Sequence, residues 1–196
     1  MDIETIKEKL RNYLNESNES IYRHSLLVQE LSIELAKHYN FDVEKASIAA
    51  LLHDCGRKCN ADEIINFAEN AGCYITEVTL SNPIVLHGFV GSIIAKQEFN
   101  IDDMEILAAI RDHTTGASEM TNISKVVFVA DKLDPEKTYI DNTKLKEIAF
   151  ENLDKAILYI FDQTLKFLID NNFLIFEQIV TSRNKIIMKL RRTDIF

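Results

Sequence analysis

Glycine and proline are scarce in this chain, five and two respectively in 196 residues, and there is no tryptophan. So few turn-formers disfavour an architecture of many short strands and tight hairpins and favour helices. Three cysteines, Cys55, Cys59 and Cys73, are an odd number and are not at CxxC spacing, so no disulfide framework is expected and they read as spectator thiols. No apolar run reaches membrane-spanning length, and the first residues, MDIETIKEKL, form a charged amphipathic segment without a signal-peptide core. A cytoplasmic protein that avoids membranes is the expectation. Basic charge is also in deficit. The formal net charge of −9 argues against general binding to a nucleic acid backbone, and an anionic substrate would need metal ions and a few local Arg or Lys side chains.

What is present is helical periodicity. Residues 3–14 place Ile3, Ile6 and Leu10 on one face, and residues 20–39 do the same with Leu27, Leu31 and Leu35. His24 lies on that second stripe and so faces inward. Asp42 can cap a helix over 43–54, the spacing Asn60-x-x-Glu63 starts another that Gly72 stops, and Asn82-Pro83 opens the segment leading through His87 to residue 99. Gly88, Gly91 and Ser92 there permit close backbone approach. Asp102-x-x-Glu105 starts a helix ending near His113, and Thr114-Thr115-Gly116 terminates it. Thr121 caps the next, whose run Val126-Val127-Phe128-Val129-Ala130 leads into Asp131. One long helix is expected over 144–170 and a last one over 179–192, with weak strand alternation only at 73–80 and 173–180. No repeat, linker or low-complexity segment appears. The reading is an all-α, single-domain helical bundle spanning 1–196, with a core over about 20–135 and C-terminal helices over 143–192 packed on it.

The chemistry gathers at helix ends. The apolar run Ala49-Ala50-Leu51-Leu52 delivers His53 and Asp54 side by side. With 5 His and 14 Asp in 196 residues, chance alone supplies about 0.4 such dipeptides, so the pair by itself is weak. His53, Asp54, His113 and Asp131 each follow an apolar stretch, however, and with His24 and His87 they make six nitrogen or oxygen donors. Imidazole and carboxylate are the ligand types of borderline divalent metals, and six donors suit two ions bridged by one carboxylate, for which Asp54 is the natural choice. His38 reads as an ordinary exposed histidine. Asp112 reads as a carboxylate supporting the site, and Asp102, Asp103 and Asp134 as caps and turn residues.

His24, His53-Asp54 and Asp131 together resemble the H…HD…D signature of the HD-superfamily metal-dependent phosphohydrolases. A closer resemblance is to the iron-dependent symmetrical diadenosine tetraphosphate hydrolases. It rests on Arg23-His24-Ser25, on Gly88-Phe89-Val90-Gly91 after His87, on Ala109 to Gly116, on Val129-Ala130-Asp131-Lys132-Leu133-Asp134-Pro135 and on Ser182-Arg183-Asn184. It spans about residues 20–185.

The resemblance implies an HD-type bundle that hydrolyses diadenosine tetraphosphate to two ADP with hydroxide made at the metal. Iron is the metal it implies, with Mn, Zn, Co or Mg as alternatives. It implies His24, His53, Asp54 and Asp131 as the tighter metal site. His87 and His113 then serve as second-metal ligands or as phosphate contacts, and His53, Asp54, His87 and His113 carry the catalysis. Arg57, Thr114, Lys137 and Arg183, with His87 and His113, are the implied polyphosphate contacts. Lys137 stands where the family often has Arg, and Arg57 where it usually has Lys; both swaps keep the charge, but Lys cannot give the bidentate phosphate grip of Arg. Two alternatives remain open: another nucleotide or signalling-nucleotide hydrolase of the superfamily, and a non-catalytic nucleotide-sensing module. The basic run Lys185 to Arg192 leaves a homodimer open.

Overall fold

The computed structural model describes residues 2–193, and among these there are eleven α-helices, three short 3-10 turns and no strand. In chain order the helices are α1 Ile3–Leu14, α2 Glu19–His38, α3 Val43–Leu52, α4 Ala61–Asn70, α5 Glu77–Ser81, α6 His87–Phe99, α7 Met104–Asp112, α8 Asn122–Lys132, α9 Asn142–Glu151, α10 Leu153–Asp170 and α11 Glu177–Thr193. The all-α expectation is met.

Most starts are set by side-chain caps that accept an orphan backbone N–H of the first turn. Asp42 accepts from Lys45, Asn60 and Glu63 form a reciprocal capping box, and Thr121 accepts from Ser124. The start of α7 belongs to Asp103, not Asp102: Asp103 Oδ1 accepts from both Glu105 N and Ile106 N. The expected helix over 144–170 is two. Asn152 stands between them in extended conformation (φ −161°, ψ 116°), accepting from Lys155 N to begin α10. Neither weak alternating stretch becomes a strand, since residues 77–81 form α5 and α11 begins at Glu177.

α3 is the central element. Every residue from Ala46 to Leu52 is buried, so its last turn ends inside the protein. α2 packs along α3 and α8, α6 packs on α7, and α7 on α8. The second tier, α9 to α11, joins this core through α10, which lies against α8, α9 and α11. One continuous apolar cluster runs from Ile6 in α1 to Ile186 in α11. The end of α3, the start of α6 and the end of α7 meet where His53, Asp54, His87 and His113 stand.

A candidate dinuclear metal site

Three of the histidines use the same local device. His53 follows α3, His87 follows the 3-10 turn Pro83–Leu86, and His113 follows α7. Each Nδ1 donates to the backbone carbonyl three residues earlier: His53 to Ala50 (2.7 Å), His87 to Ile84 (2.6 Å) and His113 to Ile110 (2.7 Å). The last carbonyls of a helix lack intrahelical partners, so a histidine just past the end finds an acceptor ready-made. His24, in the body of α2, uses a side chain instead, and its Nδ1 donates to Asp134 Oδ2 at 2.5 Å. In all four rings the Nδ1 proton is committed and Nε2 is left to face the site.

Those four Nε2 atoms form two close pairs. His24 and His53 approach to 3.2 Å, and His87 and His113 to 2.9 Å. Asp54 lies between the pairs. Its Oδ1 is 3.0 Å from His87 Nε2 and 3.4 Å from His113 Nε2, while its Oδ2 is 3.8 Å from His24 Nε2 and 3.6 Å from His53 Nε2. Asp131 Oδ1 completes the first pair at 3.0 Å from His24 and 3.8 Å from His53. Two sets of donor atoms, His24/His53/Asp131 and His53/Asp54/His113, each fall within 4.8 Å of one another.

Two imidazole lone pairs at about 3 Å repel unless a cation stands between them, and a carboxylate with one oxygen toward each pair adds negative charge at both. The residues present fit divalent metal ions, and the N/O donor set suits iron, manganese, cobalt or zinc.

Burial shapes the protonation states. Burial pulls the His53 imidazole down to about 3, against the opposing pull of Asp54, and pulls His113 down too. Burial pushes the Asp54 and Asp131 carboxyls up, but neighbouring groups outweigh it and hold both well below the usual range: His53, His113 and His87 around Asp54, and Lys132, His24 and Lys137 around Asp131. Burial alone would lower His24, yet Asp131, Asp54 and Asp134 together raise it.

Two glycines let the elements come close enough. A Cβ on Gly56 would stand 2.2 Å from the His87 carbonyl oxygen, so only glycine lets the turn after Asp54 touch the start of α6. On Gly88 it would meet Thr114 Oγ1 at 2.8 Å and the Arg111 carbonyl oxygen at 2.9 Å, where α6 abuts the end of α7.

The implied substrate contacts are only partly gathered. Arg57 Nη1 lies 3.2 Å from Asp54 Oδ2, and Lys137 Nζ 3.7 Å from Asp131 Oδ1. Both line a cavity of about 230 Å³ over His24, Asp54 and Asp134. Thr114 Oγ1 lies 3.2 Å from both His87 Nε2 and His113 Nε2. Arg183, in α11, is paired with Asp162 of α10 at 2.5 Å and does not line that cavity, although its neighbour Ser182 packs close to Gly116. Asp112 accepts from Arg111 Nε (2.8 Å) and Ser124 Oγ (3.0 Å), which ties the end of α7 to α8.

Two residues near the site carry more than the sequence reading gave them. Asp134, expected to serve as a turn residue, also orients His24. Lys132, buried beside Asp131, holds that carboxylate's second oxygen. Their signal was only their nearness to Asp131 in sequence.

The HD domain family model matches residues 21–136, which contain every one of these donors. The chain belongs to the HD-domain family. Among relatives of this HD protein, the symmetrical bis(5'-nucleosyl)-tetraphosphatase of Staphylococcus aureus (strain NCTC 8325 / PS 47) is 32% identical over 192 residues, 94% of each chain. That of Bacillus subtilis (strain 168) is 30% identical over 172 residues, 87% of this chain and 91% of its own. A crystal structure from Clostridium acetobutylicum, described as a predicted HD superfamily hydrolase involved in NAD metabolism, superimposes with a TM-score of 0.88 at 36% identity, covering 96% of this chain and 98% of its own.

Proposed function

We propose that this HD protein is a metal-dependent hydrolase that cleaves diadenosine tetraphosphate, or a closely similar dinucleoside polyphosphate, symmetrically into two nucleoside diphosphates. The observation that carries the reading is Asp54, with one oxygen toward His87 and His113 and the other toward His24 and His53. The names of the relatives support the substrate. In this reading His24, His53, Asp54 and Asp131 hold one ion, and His87 and His113 share Asp54 to hold a second. Iron is the metal we propose, with manganese, zinc, cobalt or magnesium as substitutes, and the cytoplasm is where such a substrate would be met.

When bound, divalent ions supply Lewis acidity toward water and toward the phosphoryl oxygens. The chain supplies the rest. Its Nδ1 hydrogen bonds fix each ring so that Nε2 faces the reacting region, and the buried walls of α3 and α8 limit water to the mouth of the cavity. Arg57 and Lys137 offset the charge of a tetraphosphate in a chain that is acidic overall. They stand beside Asp54 and Asp131, at the edge of the cavity where phosphate would lie. Thr114 Oγ1 can donate to a phosphoryl oxygen beside His87 and His113. The leaving nucleoside diphosphate is a stable anion, so no general acid is required of the protein. Arg183 would have to leave Asp162 to reach phosphate, and we keep it as a contact of the substrate's outer end.

The test pairs metal content with product identity. Protein purified without oxygen should carry metal and give two ADP from the tetraphosphate. Asp54→Ala should lose both metal and turnover while keeping its helical circular dichroism. ATP plus AMP as products, or full turnover in the variant, would refute the reading.

A further inference from the structure

The cavity over the metal site does not end at the metal site. A second, adjoining hollow shares Ser20, His24, Asp134 and Glu136 with it and adds Arg23 and Leu27. Leu27 in turn lines a third and larger cavity of about 550 Å³ between α2 and α9. Leu27, Leu31, Leu133, Pro135 and Phe150 line it, with the exposed Thr143 among the remaining lining residues. The path therefore runs along α2 from charged, metal-facing surface at His24 to an apolar groove at Leu31. Seven residues of helix at 1.5 Å rise cover about 10 Å, comparable with the reach from the terminal phosphate of a nucleoside diphosphate to its base. The groove's volume is that of a small-molecule site, and its wall includes the Phe150 ring, which the His38 ring meets edge-on at 4.9 Å and Lys146 Nζ approaches at 5.7 Å, beside the aliphatic Leu27 and Leu31, a largely apolar surface suited to a flat base.

We propose that this groove between α2 and α9 is a nucleobase subsite, holding the base of the nucleotide whose phosphates lie over the metals. The proposal rests on the phosphohydrolase reading for what lies at its polar end. Leu31 and Phe150 would then be specificity-determining residues, remote from the reacting atoms.

The experiment titrates two probes, ADP and inorganic pyrophosphate, into the metal-loaded protein by calorimetry. Thr143→Trp introduces a bulky ring from an exposed position in the first turn of α9, at little cost to the core. We expect it to weaken ADP by about tenfold or more, the scale of one lost apolar contact surface, and to leave pyrophosphate unchanged. Phe150→Leu, which keeps apolar bulk without the ring, should weaken ADP by less and again spare pyrophosphate. Unchanged ADP affinity in both variants overturns the proposal, as does wild-type protein that binds ADP no more tightly than pyrophosphate. Groove-dependent ADP binding in a protein that leaves diadenosine tetraphosphate uncleaved would uphold the subsite and refute the substrate instead.

Discussion

Asp134 accepts a hydrogen bond from the His24 ring through one oxygen and caps the turn at Glu136 through the other. The donor and acceptor lie 110 residues apart, so no local pattern connects them, and the side chain reads in sequence as a turn residue before proline. The donors themselves were legible, because apolar runs that end in His or Asp announce residues at the rim of a core. Their partners were not, because a supporting hydrogen bond leaves no periodicity. Arg183 illustrates the same limit from the other side: its pairing with Asp162 depends on how α10 and α11 cross. We expect Asp134→Asn to keep the fold and lower metal affinity by about 10–100-fold, the usual cost of losing a carboxylate behind a ligating imidazole. Metal titration against a competing chelator reads this directly, and unchanged affinity would mean that His24 needs no charged support.

Helix starts were the most readable elements, since Asp, Asn and Thr caps act within three residues. Helix ends were less so. Among the described residues, Asn15, Asn40, Asn100 and Asn172 adopt positive φ at or just after helix ends, a backbone conformation that glycine usually supplies. That is how so helical a chain manages with five glycines. The break at Asn152 was hidden because Ile148, Ala149, Leu153 and Ala156 continue an apolar stripe across it.

Gly56 supports an element-scale prediction. Gly56→Ala must push the turn off the α6 backbone, costing about 1–3 kcal/mol as overpacking does, and should weaken metal binding where Asp54 meets His87. Gly91→Ala, whose new Cβ would find its nearest neighbours at 3.4 Å, should be tolerated. Equal denaturation midpoints for the two variants would contradict this account.

Asp154 supports a second. It lies 2.6 Å from Lys125 of α8 and 2.5 Å from Lys189 of α11, locking the C-terminal helix to the core. Burial raises its carboxyl, but the two lysines outweigh burial and lower it below 3.8. A carboxyl lowered by folding stabilises the protein above its unfolded value and loses that contribution as pH falls through the folded one. Asp154→Asn should therefore be less stable than the parent at pH 7, by about 1–2 kcal/mol for a partly buried pair. The gap should begin to close below about pH 4 and vanish once pH has fallen through the lowered folded value. A gap independent of pH would mean that packing, not charge, is lost.

On the scale of the whole molecule, the six donors come from α2, the end of α3 and the turn after it, the start of α6, the end of α7 and the last turn of α8, so nearly every element of the core sends a side chain to one place. With metal the same groups become cross-links between elements far apart in sequence. Metal should therefore act on global stability and not on one loop. An ion held at 100 times its dissociation constant stabilises the native state by about 2.7 kcal/mol. For a chain of this size each kcal/mol moves the melting midpoint by about 2–4 °C, so one saturated site is worth about 5–11 °C and two sites more. Melting curves with and without a strong chelator, with metal content measured on each sample, test this. Midpoints that coincide after complete metal removal would show that the histidines are held in place by the fold alone, and the picture of metal ions joining the core helices would have to be abandoned.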